Sequence, residues 1–266
     1  MNQEFNLSIF SIFRESEKYL DRYFKQVLEA FHINGGRCHA IWLEGDSEDQ
    51  TFSKLSEAKQ HFESQGHAVT LIKFDLKGPL WPAINHANRW LQLATCWNKC
   101  IEHMIPTKIA ICVESDLIWD PQIVSNLISK LDESHHVIYP MLMDEILPDS
   151  NGELTFMDTW GFSRGNMKFS KTVPYWPEDK KLIEEEDLLQ IETGGGMIVT
   201  TYPHLQAASW DLTCCILKFG TKTKLFMDKT LRIYHPRPLK KSLLRKLRII
   251  IKDPRVFIAK ILSKAH

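Results

Sequence analysis

The sequence predicts an α/β protein built on a mostly parallel, doubly wound central sheet, and three observations carry that expectation. Short runs rich in β-branched and aromatic residues alternate with longer segments whose apolar positions recur at helical spacing. Crossovers of roughly 15 to 25 residues join parallel strands rather than hairpins. Several of the strand-like runs also end in acids, at the carboxyl ends where open α/β sheets bind ligands.

The elements follow in order. LSIFSIF (7–13) is the first strand. Tyr19, Leu20, Tyr23, Phe24, Val27, Leu28 and Phe31 then form one helical stripe, which Asn34-Gly35-Gly36 stops. CHAIWLEGD (38–46) is the second strand, followed by a polar helix over about 50–65 that ends at Gly66, and HAVTLIKFD (67–75) is the third. Beyond the breaks at Gly78-Pro79 and Trp81-Pro82, a long helix over about 84–104 leads into a strand at 109–114. Asp120 caps and Pro121 opens the next helix, whose apolar positions are Ile123, Val124, Leu127, Ile128 and Leu131. HVIYPMLMD (136–144) is a further strand, and 145–190 reads as loop-rich, with an acidic run at Glu184-Glu185-Glu186-Asp187. Residues 1–236 are expected to form one domain and 237–266 a C-terminal extension.

The formal net charge is zero, but 237–266 holds ten Lys/Arg against the single acid Asp253. An acidic body therefore carries a basic tail. There is no apolar run of about 18 residues and no secretory leader, which points to the cytoplasm. The six cysteines form no CxxC pair and sit mostly in apolar surroundings, so free thiols are expected rather than zinc ligands or disulfides.

Glu114-Ser115-Asp116 closes the strand before the Asp120 helix. Carboxylates at i and i+2 in a loop can reach one hard divalent cation, Mg2+ or Mn2+, directly or through water. On spacing alone, an acidic helix start in which the carboxylates favour the dipole is the preferred reading. Glu44-Gly45-Asp46, which opens EGDSEDQT, places carboxylates after the second strand, where the NH and hydroxyl groups of a base or ribose could be held. Asp75 ends the third strand, so three acidic clusters should face one crevice. Glu192-Thr193-Gly194-Gly195-Gly196 precedes the apolar MIV; it is either a turn that lets a ligand approach the backbone or a flexible hairpin. His235, in IYHPRP, offers a neutral imidazole as a third ligand, or is an ordinary surface or core histidine.

Taken in order, these segments resemble the GT-A fold nucleotide-sugar glycosyltransferases (family 2-like) over roughly residues 5–237. EGDSEDQT is similar to the acidic loop after the second strand of that fold, and VESDLIWDP to its metal-binding acidic motif, with Glu114 where many members carry Asp. FMDTWGFSRG (156–165) is similar to a DTW-containing segment, GGGMIV to the acceptor-side glycine turn, and the late His-Pro to a metal-ligand histidine. The resemblance implies a metal-dependent glycosyltransferase moving a sugar from a nucleoside-diphosphate sugar donor to a hydroxyl-bearing acceptor. It implies Asp116 and His235 as ligands of Mn2+ or Mg2+, with Glu114 on the metal, its water shell or the donor ribose. Glu44, Asp46 and Arg89 would lie by the nucleotide, with Trp160, Gly194 and Gly195 on the acceptor side. An inverting reaction would also need a carboxylate base, for which Asp211 and then Asp158 are the candidates. A non-catalytic nucleotide- or sugar-binding module, or an inactive transferase homologue, is the alternative.

The tail is amphipathic. Lys241, Arg245, Arg248 and Lys252 fall on one side, Leu243, Leu244, Leu247, Ile250 and Ile251 on the other, and Phe257, Ile258, Ile261 and Leu262 follow Pro254. Three readings stand: a helix lying on an anionic membrane surface, which would place the protein peripherally at the inner face; a helix packed on the domain; and a nucleic-acid contact.

Overall fold

A computed structural model of the chain describes residues 5–81, 86–148, 154–156, 162 and 187–236. Among these, β1 (Phe5–Phe13), α1 (Glu17–Asn34), β2 (Cys38–Glu44), α2 (Thr51–Ser64), β3 (Ala68–Lys73), α3 (Ala87–Glu102) and β4 (Thr107–Val113) alternate as expected. They are followed by α4 (Gln122–Ile128), β5 (Val137–Pro148), β6 (Leu154–Phe156), β7 (Leu188–Ile191), β8 (Met197–Thr201), α5 (Tyr202–Gln206), β9 (Ser209–Trp210), β10 (Leu217–Lys218) and β11 (Leu225–His235).

One nine-stranded sheet runs β3-β2-β1-β4-β8-β5-β11-β7, with β6 beside β5. The first four strands are parallel neighbours, as are β5 and β11, while β8 runs antiparallel between β4 and β5. After β3 the chain returns to the far side of β1 to form β4, so the winding reverses between β1 and β4. A crevice at the carboxyl ends of the strands on either side of such a reversal is the usual ligand position. The register aligns those ends: Phe13 lies opposite Glu44, Glu44 opposite Lys73, and Val113 opposite Met197 at the start of β8.

Both faces of the sheet are covered, because alternate residues of each strand point to opposite sides. Leu7, Ile9, Phe13, Ala40, Trp42, Ile111 and Val113 pack with Leu20, Tyr23, Val27 and Phe31 of α1, Leu55 and Phe62 of α2, and Val124 and Leu127 of α4. Phe10, Ile41, Leu43, Ala110 and Cys112 pack on the other side with Ala94, Trp97 and Cys100 of α3 and Leu205 of α5. The apolar stripe read on α1 is therefore its buried face.

Three expectations are corrected. The stretch 145–190 was expected to be loop-rich, and most of it lies outside the described residues, but its described ends are strand: β5 extends to Pro148 and β7 pairs antiparallel with β11 through Leu225↔Ile191 to Asp228↔Leu188. β7 buries Leu189 and Ile191 and turns Gln190 outward, an alternation too short to stand out beside the acidic run. The glycine turn is not a hairpin, since β7 pairs with β11 and β8 with β4 and β5. α4 stops at Ile128, short of Leu131.

Candidate metal centre at the carboxyl edge of the sheet

Glu114 is the first residue beyond β4, and its N–H donates to the Gly196 carbonyl (2.9 Å) just before β8. Gly196 accepts this bond from a left-handed backbone, φ +74°, with Leu142, Ile233 and Leu117 packed around it. The turn thus holds the acidic loop at its root. Four residues beyond Glu114 the chain reaches Ile118, which exchanges both backbone hydrogen bonds with Tyr234 near the end of β11 (2.8 Å each). That bridge delivers His235 to Asp116: His235 Nε2 lies 3.6 Å from Asp116 Oδ2. His235 Nδ1 is 3.1 Å from the Pro236 carbonyl, which can only accept; with the proton on Nδ1, Nε2 is the nitrogen that faces Asp116 and is available as a ligand.

Ligand atoms of Glu114, Asp116 and His235 all lie within 4.8 Å of one another, the only such group of three or more found among the described residues. The electrostatics ask for a cation. Burial, and then the neighbouring Asp116 carboxylate, push the Glu114 carboxyl up to about 7, while His235 and Arg89 pull it down. Two carboxylate oxygens and an imidazole nitrogen form a donor set suited to a divalent first-row ion, so the residues present fit the metal that the sequence implies.

Arg89, on the first turn of α3, is half-buried and close enough to Glu114 and Cys215 for their charges to act on it; burial lowers its pKa. The β9–β10 hairpin brings Cys215 there with a left-handed backbone, φ 55°. It is fixed to α3 by Asn98, whose side chain both donates to the Trp210 carbonyl and accepts the Trp210 N–H, and by Trp97 and Trp210 stacked at 5.2 Å.

The other acids at this edge have different duties. Glu44 is fully buried; one oxygen accepts the Ser47 N–H (3.0 Å) and the other pairs with Lys73. Asp46 takes a left-handed backbone, φ 60°; its oxygens accept the N–H groups of Lys77 (2.9 Å) and Gly78 (3.2 Å), and Arg14 lies 3.7 Å away. Arg14 in turn donates to the Gly78 and Pro79 carbonyls (2.7 and 2.9 Å), and Asp75 accepts the Asp46 N–H (2.8 Å). These residues lie at the carboxyl ends of the strands, where their side chains hold the loops after β1, β2 and β3 to one another. Arg14 had no sequence signal, because a single arginine after a strand has no distinguishing pattern.

Asp211 sits in the β9–β10 turn, where its carboxylate accepts from the Thr213 N–H and hydroxyl and pairs with Lys218. Lys218 and Thr213 hold it well below the usual carboxylate range. It lies outside the group of three. Gly194 backs onto the ring of Tyr139, and Gly195 accepts the Met197 N–H (2.9 Å). Asp158 and Trp160 lie outside the described residues, as does the tail. All six cysteines are free thiols, and among the described residues no helix is long and apolar enough to cross a membrane.

No sequence-family profile and no curated protein matches the chain. Solved structures do. A mannosyltransferase, PcManGT from Pyrobaculum calidifontis, in complex with GDP-Man and Mn2+, is 10% identical with a TM-score of 0.57, over 95% of this chain and 66% of that one. GalNAc-T7 with UDP, GalNAc and Mn2+ is 14% identical with a TM-score of 0.54, over 92% and 48%. S. aureus TarS 1–349 is 9% identical with a TM-score of 0.52, over 87% and 60%. The chain spans about half to two thirds of the length of these proteins, and what it shares with them is architecture: it has the GT-A fold.

Proposed function

We propose that this chain is a metal-dependent glycosyltransferase that moves a sugar from a nucleoside-diphosphate sugar to a hydroxyl acceptor. The observation that carries the reading is the convergence of Glu114, Asp116 and His235 at the carboxyl edge, beside the reversal of strand order. The fold supports it, as do the GDP-Man, UDP and Mn2+ held by proteins that share that fold. Asp116 and His235 would hold Mn2+ or Mg2+, the imidazole favouring Mn2+, with Glu114 on the ion, its water or the donor ribose. When bound, the cation supplies Lewis-acid neutralisation of the charge that grows on a departing diphosphate.

The chain's own residues do the positioning. Ile118 and Tyr234 fix the separation of Asp116 and His235, and Gly196 fixes Glu114. Arg89 contributes a half-buried positive charge beside Glu114. Glu44 and Asp46 act on the nucleotide through the loop shape they impose, since their oxygens are already engaged. The Gly194-Gly195 turn lies on the acceptor side, where Trp160 would stack on a sugar. If the reaction inverts, the base falls to Asp158 before Asp211, whose carboxylate is committed to its turn.

The test is a panel of UDP-, GDP- and CDP-sugars assayed for Mn2+-dependent hydrolysis, with Asp116→Asn as the comparison. No turnover with any donor, and no change on Asp116→Asn, rejects the enzyme. Nucleotide binding by calorimetry in the same samples would then identify a non-catalytic binding module or inactive homologue. The tail is proposed to bind an anionic membrane surface, suiting a lipid-linked acceptor and a peripheral position at the inner face of the membrane. Flotation of the chain with and without residues 239–266 tests this. Loss of flotation on truncation is expected; if both forms stay below anionic vesicles the membrane is rejected, and salt-sensitive nucleic-acid binding becomes the reading to test.

A further inference from the structure

The carbonyls of the acidic loop are held from below by helix α1. Arg22 Nη2 donates to the Asp116 carbonyl (2.6 Å), and Gln26 Nε2 donates to the Trp119 carbonyl (2.9 Å). The two side chains are four residues apart and so share one face of α1. Gln26 is buried and Arg22 half-buried, and the guanidinium also lies over the Tyr19 ring at 5.5 Å. Opposite them, the Ile118–Tyr234 bridge ties the same loop to β11. Residues 116–119 are thus gripped from two sides, by side chains of α1 and by the backbone of β11. The start of α1 is in turn bound to the start of α2 and the loop before it: the Ser16 N–H donates to Thr51 Oγ1 (2.8 Å) and the Glu17 N–H to Asp49 Oδ2 (3.2 Å).

We infer that Arg22 is a positioning residue for the metal centre, setting through the Asp116 carbonyl the direction in which the Asp116 carboxylate meets His235. The inference rests on the metal-dependent reading above. A carbonyl beneath a ligand that loses its donor leaves the loop free to tilt, and the carboxylate moves with it. Outer partners of metal ligands typically govern affinity by about 10- to 100-fold. The guanidinium gives the Asp116 carbonyl one hydrogen bond, so a lysine ammonium can replace it, whereas a methionine keeps the stem on Tyr19 but offers no donor.

The experiment titrates Mn2+ alone into the wild-type chain, Arg22→Met, Arg22→Lys and Asp116→Asn, reading free Mn2+ by electron paramagnetic resonance, with the metal-free melting temperature recorded for each. Arg22→Met should weaken Mn2+ binding at least tenfold and change the bound-ion spectrum, Arg22→Lys should restore affinity to within about threefold of wild type, and Asp116→Asn should bind weakest. Arg22→Met binding Mn2+ like wild type overturns the inference and leaves the metal centre standing. So does Arg22→Lys matching the loss in Arg22→Met, since the donor would then not be what matters. A wild-type chain that takes up no Mn2+ overturns the metal reading itself, and the positioning role falls with it. Should Arg22→Met fold poorly, Gln26→Leu tests the same grip one turn along, with unchanged Mn2+ affinity in a folded Gln26→Leu counting against it.

Discussion

Gly194→Ala tests whether the glycine turn is there for packing. A Cβ built on Gly194 would lie 2.6 Å from Tyr139 Cδ1, 2.9 Å from Cγ and 3.0 Å from Cε1. The ring has little room to retreat: Tyr139 is 2% exposed, in β5, within the core that α3 and α5 cover. Adding one carbon to such a contact forces either the ring off its rotamer or the turn away from the sheet, which costs about 1–3 kcal/mol. Gly220→Ala is the internal control, because a Cβ there meets only Thr223 Oγ1 at 3.9 Å; it should change stability by less than about 0.5 kcal/mol. Equilibrium urea unfolding at pH 7 measures both. The turn also carries the Gly196 carbonyl that fixes Glu114, so Gly194→Ala should weaken Mn2+ binding as well. Equal unfolding midpoints for the two alanine variants would refute the packing argument.

His39 is buried, and burial lowers its pKa from 6.5 to about 4. The unfolded chain then takes up a proton near pH 6.5 that the folded chain takes up only near 4, so stability falls as pH drops through that window, by up to about 3 kcal/mol; the midpoint in urea should show this, and His39→Asn should flatten the slope. Asp228 is fully buried and pairs with Lys130 at 2.6 Å, while Thr230 holds its other oxygen. Lys130→Met leaves one buried oxygen unpaired and should cost about 2 kcal/mol in thermal or urea unfolding; no loss would mean that water already serves Asp228. Asp211→Asn should reduce donor turnover less than tenfold, because its carboxylate closes a turn; a fall of about 10²- to 10⁴-fold would restore it as the base.

The first half of the fold is legible because each element there is long and uses one period. The α1 stripe ends at Asn34-Gly35-Gly36, and β2 is buried from Cys38 to Glu44. β7 and the β9–β10 hairpin were not legible: two to four residues carry too few alternations to reveal a period, and their strand character comes from partners distant in sequence. The candidate group of three was legible in part, since Glu114 and Asp116 follow an apolar strand and His235 closes one, and the structure brings the three together. Its supports were not. Arg22 and Gln26 sit 94 and 93 positions from the carbonyls they hold, and Arg14 acts on Gly78 and Pro79 more than sixty positions away. A donor to a backbone carbonyl leaves no mark in either stretch of sequence.

The acids at the carboxyl edge divide by whether their oxygens are already spoken for, and that division bears on what the crevice binds. Glu44 and Asp46 have backbone N–H groups or Lys73 on both oxygens, so they stabilise one loop shape whatever occupies the crevice. Glu114 and Asp116 repel one another, in a space that the His235 ring also faces. A group of like charges is stable at one end of a sheet only if the surrounding structure forces it together, and here three supports do so: the Gly196 carbonyl, the Ile118–Tyr234 bridge and the α1 side chains Arg22 and Gln26. That much reinforcement would serve no purpose around a charged helix start, where carboxylates relax freely into water. It suits a site that must keep its ligands converged before a cation arrives, and this favours the metal reading of Glu114-Ser115-Asp116 over the helix-dipole reading that spacing alone preferred.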